Sequence, residues 1–389
     1  MSLFQKILVI VCFVGVPWAL WGQTASSPVS ENGVVMTLPM LLACFLLAGG
    51  VVSAAGVTLT KAGDELGDRL NLGGSWVGLV VLSAVTSMPE LVSTIGSAVF
   101  ENQPAMAAGN VFGSNSFNVF IIVLLDLYYR GGPITYMFGM MPAFSASLGI
   151  AMTAIGAVAL LLSSQALFPN PVFPVWVWTL LILTSYLFFM LLIFRSEKKL
   201  SLESRGREEE SSVNAAVVGD AGWKTLILRL VVSAAIVVVA GYLLVVLADR
   251  LAVYPFSFGM LGHSFLGTLG LALATSLPEL VVGITAIRLK NFDMVAGNIF
   301  GSNIFNIMIL AVCHLCYEAR YSQSFYSACV GGEGAMNLFT ALLAMVLASL
   351  AIAGMMHRSR RTLLGVGWDS IAIGIVYMVG IYWLYLGGR

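Results

Sequence analysis

Long apolar runs separated by short polar punctuation make up most of the chain. Ten of them lie near 35–60, 75–99, 105–127, 134–163, 174–194, 225–248, 258–287, 294–316, 336–356 and 366–387. About 20 helical residues at a rise of about 1.5 Å cross roughly 30 Å of hydrocarbon, so each run predicts a transmembrane helix. An earlier run, about Ile7–Trp21, follows Lys6 and precedes a polar Gln-Thr-Ala-Ser-Ser-Pro stretch. It is short for a span and has signal-peptide proportions but no clean small-x-small cleavage site. Residues 1–33 therefore read as a signal peptide or as an extra N-terminal helix. Either leaves residue 30 outside. The longest polar interruption, 195–222, is a charged, flexible linker too short to hold a domain of its own. The expected architecture is an all-α membrane protein with five helices in 34–194, a cytosolic linker at 195–224 and five helices in 225–389.

Composition supports the membrane class. The chain is 59% hydrophobic and 10% charged, whereas a soluble domain carries roughly a quarter of its residues as charges. The bilayer is thus the expected environment, and nothing points to nucleic acid. The five cysteines suggest no disulfide framework. Cys313-His314-Leu-Cys316 offers only three donors at the end of an apolar helix, too few for a closed metal centre.

Charge placement sets the orientation. With residue 30 outside, Lys6, Lys61, Arg69, Arg130, Arg195, Lys198, Lys199, Arg205, Arg207, Lys224, Arg229, Arg288, Lys290, Arg358, Arg360 and Arg361 fall inside, and only Arg250, Arg320 and Arg389 fall outside. Basic residues favour the cytoplasmic side, so the C-terminus is expected outside.

Inside this frame one sequence pattern occurs twice. Thr86-Ser-Met-Pro-Glu90 precedes Gly109-Asn-Val-Phe-Gly-Ser-Asn-Ser-Phe-Asn118, and Thr275-Ser-Leu-Pro-Glu279 precedes Gly297-Asn-Ile-Phe-Gly-Ser-Asn-Ile-Phe-Asn306. Across 109–119 and 297–307, eight of eleven positions are identical. Leu66-Gly-Asp-Arg-Leu70 and Leu247-Ala-Asp-Arg-Leu251 extend the likeness. The two glutamates lie five crossings apart, so the duplicated helices run in opposite directions. Inverted repeats with helices interrupted at matching positions mark secondary transporters with a site near the midplane.

The repeated residues suit cation chemistry. A carboxylate at mid-span costs at least about 2.5–3.5 kcal/mol on insertion scales, and neither motif contains a basic residue to offset it. A bound cation or a proton is the natural partner. Pro89 and Pro278 cannot donate to the carbonyls of Val85 and Ala274, so both helices should bend there. Freed carbonyls, the Thr86, Ser87, Thr275 and Ser276 hydroxyls and a carboxylate make an oxygen-rich pocket fit for hard cations. On the following span Asn110, Ser114 and Asn118 recur every four residues, as do Asn298, Ser302 and Asn306, each set forming one polar ridge. Gly109, Gly113, Gly297 and Gly301 allow close backbone approach. Asn110 and Asn298, farthest from the centre, serve equally well as interhelical hydrogen-bonding residues. Asp64, Glu65, Asp68 and Arg69 read as a solvated loop, Asp126 as a helix end, and His263, His314 and His357 as isolated. An intramembrane hydrolase using the two glutamates as acid and base would need distinct environments for them, and it gives no reason for an inverted duplication.

At these motifs the sequence resembles the cation/Ca²⁺ exchanger superfamily, whose two repeats carry Thr-Ser-x-Pro-Glu/Asp and Gly-Ser-x-x-x-Asn/Asp, and most of all its Na⁺/Ca²⁺ exchanger branch. The resemblance implies an antiporter, not an enzyme, that exchanges Ca²⁺ for Na⁺ across the cell membrane by alternating access and needs no cofactor besides the transported ions. It implies that Glu90 and Glu279 bind Ca²⁺ and share Na⁺ sites with Thr86, Ser87, Thr275, Ser276, Ser114, Asn118, Ser302 and Asn306, and that the first and sixth spans slide across the rest. Asn306 departs from relatives that carry Asp there, which weakens a K⁺-coupled reading. Exchange of Ca²⁺ or another divalent cation against H⁺ is the alternative, since glutamates also bind protons.

Overall fold

The computed structural model describes residues 38–70, 72–164, 174–208, 222–253, 274–330, 335–363 and 365–387. Residues 1–33, and the first part of the span expected at 258–287, lie outside the described residues.

The described residues are helical almost throughout. In order come α1 Leu38–Leu70, α2 Gly74–Phe100, α3 Pro104–Tyr129, the single turn α4 Ile134–Met137 and α5 Met140–Leu162. The second half holds α6 Trp176–Glu208, α7 Trp223–Val253, α8 Leu277–Arg288, α9 Phe292–Tyr321, the turn α10 Phe325–Ala328, α11 Ala335–His357 and α12 Trp368–Gly387. A two-residue antiparallel hairpin, β1 Thr362–Leu363 and β2 Val366–Gly367, pairs Thr362 with Gly367 just before α12. Among the described residues eight helices are long and apolar enough to cross a membrane, and α12 adds a shorter apolar segment. The molecule is a multi-pass, all-α membrane protein.

The helices carrying the duplicated motif form the centre. In their most apolar windows, α9 is 78% buried and α3 72%, against 22% for α6 and 33% for α1, so α3 and α9 are enclosed by protein while α6 and α1 face outward. On α3 and α9, Phe112, Ile121, Ile122, Leu125, Ile299, Phe300 and Ile304 are fully or almost fully buried. On the outside of this centre α1 and α7 pack along each other, with Leu41, Ala48, Leu244, Leu247 and Ala248 between them.

Several boundaries differ from the sequence expectation for identifiable reasons. α1 continues to Leu70, so Asp64, Glu65, Asp68 and Arg69 form helical turns, not a loop. Arg69 pairs with Glu65 one turn back at 2.5 Å, and Asp64 accepts from Asn291 at 2.8 Å, which gives these three side chains partners on a helix face. α6 runs on to Glu208, making the first part of the charged linker helical. The span expected from 134 is divided at Phe138-Gly139, where extended backbone lets Gly139 N–H donate to Asp293 Oδ1 at 2.6 Å. Asp126 is more than a helix end. It is buried and accepts from the backbone N–H of Ile134 at 2.8 Å and of Gly367 at 2.7 Å, tying α3 to α4 and β2. His314 is buried and stacked on Tyr326 at 4.8 Å, with Nε2 3.2 Å from Glu318.

Candidate functional site

The two prolines break their helices where the sequence placed them. α2 leaves helical geometry at Ser87 (φ −88°, ψ 4°), and Pro89 then starts the half-helix Met88–Ile95. Ser276 (φ −96°, ψ 10°) and Pro278 repeat this at the start of α8. A proline is tolerated in a first helical turn because amides there have no intrahelical acceptor. Glu90 and Glu279 therefore both sit in the first turn of a half-helix, where free N–H groups and the positive end of the helix dipole favour a carboxylate. Two π-helical segments, Val77–Leu82 and Gly96–Phe100, flank the break in α2. α7 crosses both breaks at Gly241, where a Cβ would stand 2.6 Å from Pro89 Cγ and 4.0 Å from Pro278 Cγ.

Glycines bring the second polar ridge up to α2. A Cβ at Gly297 would strike the Ser75 carbonyl, and one at Gly301 would strike the Leu79 carbonyl and stand 2.6 Å from Leu79 Cα. With backbones this close, short side chains of α9 reach the break. Thr86 Oγ1 lies 3.3 Å from Asn298 Oδ1 and 3.5 Å from Ser302 Oγ. Ser302 Oγ donates to Glu279 Oε1 at 3.3 Å, and Ser87 Oγ donates to the same oxygen at 3.4 Å. Glu279 is thus held by hydroxyls from both repeats, Ser87 and Thr86 from the first and Ser302 from the second.

A second set of bonds joins α3 to α9. Asn118 Nδ2 donates to Asn303 Oδ1 at 3.1 Å, and Asn306 Nδ2 donates to Asn115 Oδ1 at 3.0 Å. Asn115 Nδ2 donates to the Asn303 carbonyl at 3.1 Å, and Asn303 Nδ2 returns the bond to the Asn115 carbonyl at 3.2 Å. Asn115 and Asn303 were not among the candidates, because a four-residue ridge passes them over. Their signal was the identity of both motif copies at this position. Asn110 instead donates to Thr94 Oγ1 at 2.8 Å and Ser93 Oγ at 3.3 Å, binding α3 to α2 as an interhelical contact.

All ten sequence candidates are buried: Thr86, Ser87, Glu90, Ser114, Asn118, Thr275, Ser276, Glu279, Ser302 and Asn306. Direct hydrogen bonds join Ser87, Glu279 and Ser302, with Thr86 beside Ser302. Asn118 and Asn306 are linked only through Asn303 and Asn115. Glu90 makes no side-chain hydrogen bond but lies within electrostatic reach of Glu279. Six buried side-chain oxygens of these candidates have no hydrogen-bond partner: Glu90 Oε1 and Oε2, Glu279 Oε2, Ser276 Oγ, Asn118 Oδ1 and Asn306 Oδ1. Leaving a buried polar atom unpaired costs about 1–3 kcal/mol, and more when it is charged. Three carboxylate oxygens, two amide oxygens and a hydroxyl are thus left as buried acceptors of the kind that hard cations take.

Comparison with known proteins agrees with this layout. The family model described as sodium/calcium exchanger protein matches residues 40–195 and 225–386. The inner membrane protein YrbG of Escherichia coli (strain K12) is 28% identical over 234 residues, which covers 60% of this chain and 66% of that protein, just under two thirds. The putative antiporter CaxA of Alkalimonas amylolytica is 26% identical over 298 residues, 77% of this chain and 86% of the relative. Among solved structures, the sodium-calcium exchanger NCX_Mj soaked with Na⁺ and Ca²⁺ superposes with a TM-score of 0.63 at 17% identity, covering 89% of this chain and 99% of that one. The same exchanger soaked without Na⁺ or Ca²⁺ gives 0.61 at 18% identity over 90% and 100%. These likenesses show the fold, a ten-helix inverted repeat.

Proposed function

The chain belongs to the sodium/calcium exchanger family of the cation/Ca²⁺ exchanger superfamily, a family of transporters and not enzymes, and from that premise we propose that it is a secondary active antiporter exchanging Ca²⁺ for Na⁺ across the cell membrane. One observation carries this reading: two buried carboxylates lie beside paired helix breaks, with three of their four oxygens and the Asn118 and Asn306 amide oxygens lacking any donor. Two negative charges match one Ca²⁺ or two Na⁺. Ser87, Ser276, Thr86, Thr275, Ser114 and Ser302 supply neutral oxygens around them. Ions of different charge then compete for one oxygen set, and that competition couples their fluxes. The 34–194 and 225–389 halves act as the two repeats, with the 195–224 segment between them in the cytosol. α1 and α7 pack together across both breaks, so their movement over α3 and α9 would open the site to one side and close it to the other.

The test is Ca²⁺ uptake into proteoliposomes under an imposed Na⁺ gradient, compared with an imposed pH gradient. Uptake driven by Na⁺ at constant pH is the expected result. Uptake driven only by the pH gradient would replace Na⁺ with H⁺ as the coupling ion, and no Ca²⁺ flux under either gradient would remove the reading.

A further inference from the structure

Resting on that reading, we infer that Asn115 and Asn303 are positioning residues that turn the amides of Asn306 and Asn118 so that their carbonyl oxygens face the ion. An asparagine presents a donor at Nδ2 and an acceptor at Oδ1, and only its hydrogen-bond partners decide which end points where. Asn306 Nδ2 is committed to Asn115 Oδ1 at 3.0 Å, and Asn118 Nδ2 to Asn303 Oδ1 at 3.1 Å. The opposite ends, Asn306 Oδ1 and Asn118 Oδ1, are the buried oxygens without a donor. Asn115 and Asn303 cannot turn over themselves, because each spends its Nδ2 on the other's main-chain carbonyl. Asn115 and Asn303 thus lock each other reciprocally, and each holds the amide that the other repeat supplies. If these four bonds served only to join α3 to α9, the residues making them would have no reason to leave two acceptors unpaired. Without Asn115, the Asn306 amide loses its acceptor and is free to present N–H groups to a cation. Asn115 and Asn303 therefore act through their partners and are not themselves ligands.

The test is a pair of double-mutant cycles on the purified full-length protein, read as the Ca²⁺ concentration giving half-maximal rise in melting temperature. Asn115→Ala is expected to raise that concentration about tenfold, as is Asn303→Ala. Adding Asn115→Ala to Asn306→Ala should change little, whereas adding it to Asn118→Ala should multiply the two effects, because coupling crosses between the repeats. Asn303 should show the mirror pattern, coupled to Asn118 and independent of Asn306. A purely structural residue lowers the ion-free melting temperature without this pairing. Factors that multiply within the Asn115/Asn306 pair, or an unchanged half-point in either single variant, overturn the proposal. If only one alanine variant folds, its own cycle decides. If neither folds, the two asparagines serve stability alone and the proposal is likewise overturned. A wild type that binds Ca²⁺ without exchanging it for Na⁺ removes the exchange reading and leaves the positioning role standing.

Discussion

Glu90→Gln is the most direct perturbation of the site, because both Glu90 oxygens are buried and neither has a hydrogen-bond partner. The amide keeps the size and shape and deletes one charge. Two unit charges about 4 Å apart at an effective dielectric constant of about 20 attract by about 4 kcal/mol. That is roughly a thousandfold in affinity, and a divalent ion makes it a lower bound. At a Ca²⁺ concentration about 100 times the wild-type dissociation constant, binding stabilises the wild type by about 2.7 kcal/mol, and the variant should lose this almost entirely. Without ions the order changes. Glu90 makes no bond to another side chain that the amide would lose, and without ions its carboxyl is free to hold a proton, so ion-free Glu90→Gln should melt no lower than ion-free wild type. Thermal unfolding with and without Ca²⁺, together with Na⁺-driven Ca²⁺ flux, checks both parts. A variant keeping the Ca²⁺-induced shift would show that Glu90 is not a ligand, and one melting far lower without ions would show that its carboxylate is structural.

Other consequences are checked independently. A cysteine introduced at Ser322, an exposed residue after α9, should react with an impermeant reagent from outside in a cysteine-free background, while one at Ser204 should not; equal labelling would contradict the inverted orientation. Gly301→Val should lower the melting temperature or prevent folding, because its Cβ would stand 2.6 Å from Leu79 Cα and overpacking costs about 1–3 kcal/mol or more. Gly50→Ala, with nothing within 4 Å of the new Cβ, is the neutral control. Asn306→Asp sets a carboxylate oxygen against Asn115 Oδ1, acceptor facing acceptor at what is now a 3.0 Å bond. With Asn115 fixed by its own bond to the Asn303 carbonyl, the new carboxylate must take up a proton or move away, so Ca²⁺ flux should become more pH-dependent than in wild type. An unaltered pH profile would mean that position 306 stands outside the site.

The paired helix breaks and the candidate site beside them were legible in the duplicated motif because it is a local pattern: proline, carboxylate and hydroxyls within five residues constrain backbone and chemistry together. What the sequence concealed depends on the partner helix. Asn115 and Asn303 fall between the positions of a four-residue ridge, and their use appears only when α3 and α9 are brought face to face. Asp64 and Glu65 look like loop residues by composition: the Glu65–Arg69 spacing is a local helical signal, but nothing local reveals that Asn291 satisfies Asp64 on a continuing helix. Asp126 is hidden in the same way, because one of its two amide donors lies far along the chain at Gly367. Hydropathy located the spans but passed over the division at Gly139, which depends on a bond to Asp293 in the other repeat.

The two repeats share a sequence pattern but not a bonding pattern, and on the exchange reading that difference is functional. Glu279 accepts from Ser87 and Ser302, while Glu90 accepts from neither counterpart, Ser276 or Ser114, and Ser276 Oγ has no partner at all. A symmetric protein would treat both carboxylates alike. In an inverted repeat, exchanging the conformations of the two halves gives the same structure facing the other side of the membrane. The opposite-facing state should therefore hold Glu90 through Ser276 and Ser114 and release Glu279. Removing one hydroxyl then biases the equilibrium by the interaction it makes in only one state. Ser87→Ala should disfavour the present conformation and Ser276→Ala the opposite one. Cysteine accessibility from the two sides should shift in opposite directions in the two variants. Shifts of the same sign would show that the hydroxyls do not distinguish the states and that the asymmetry has another origin.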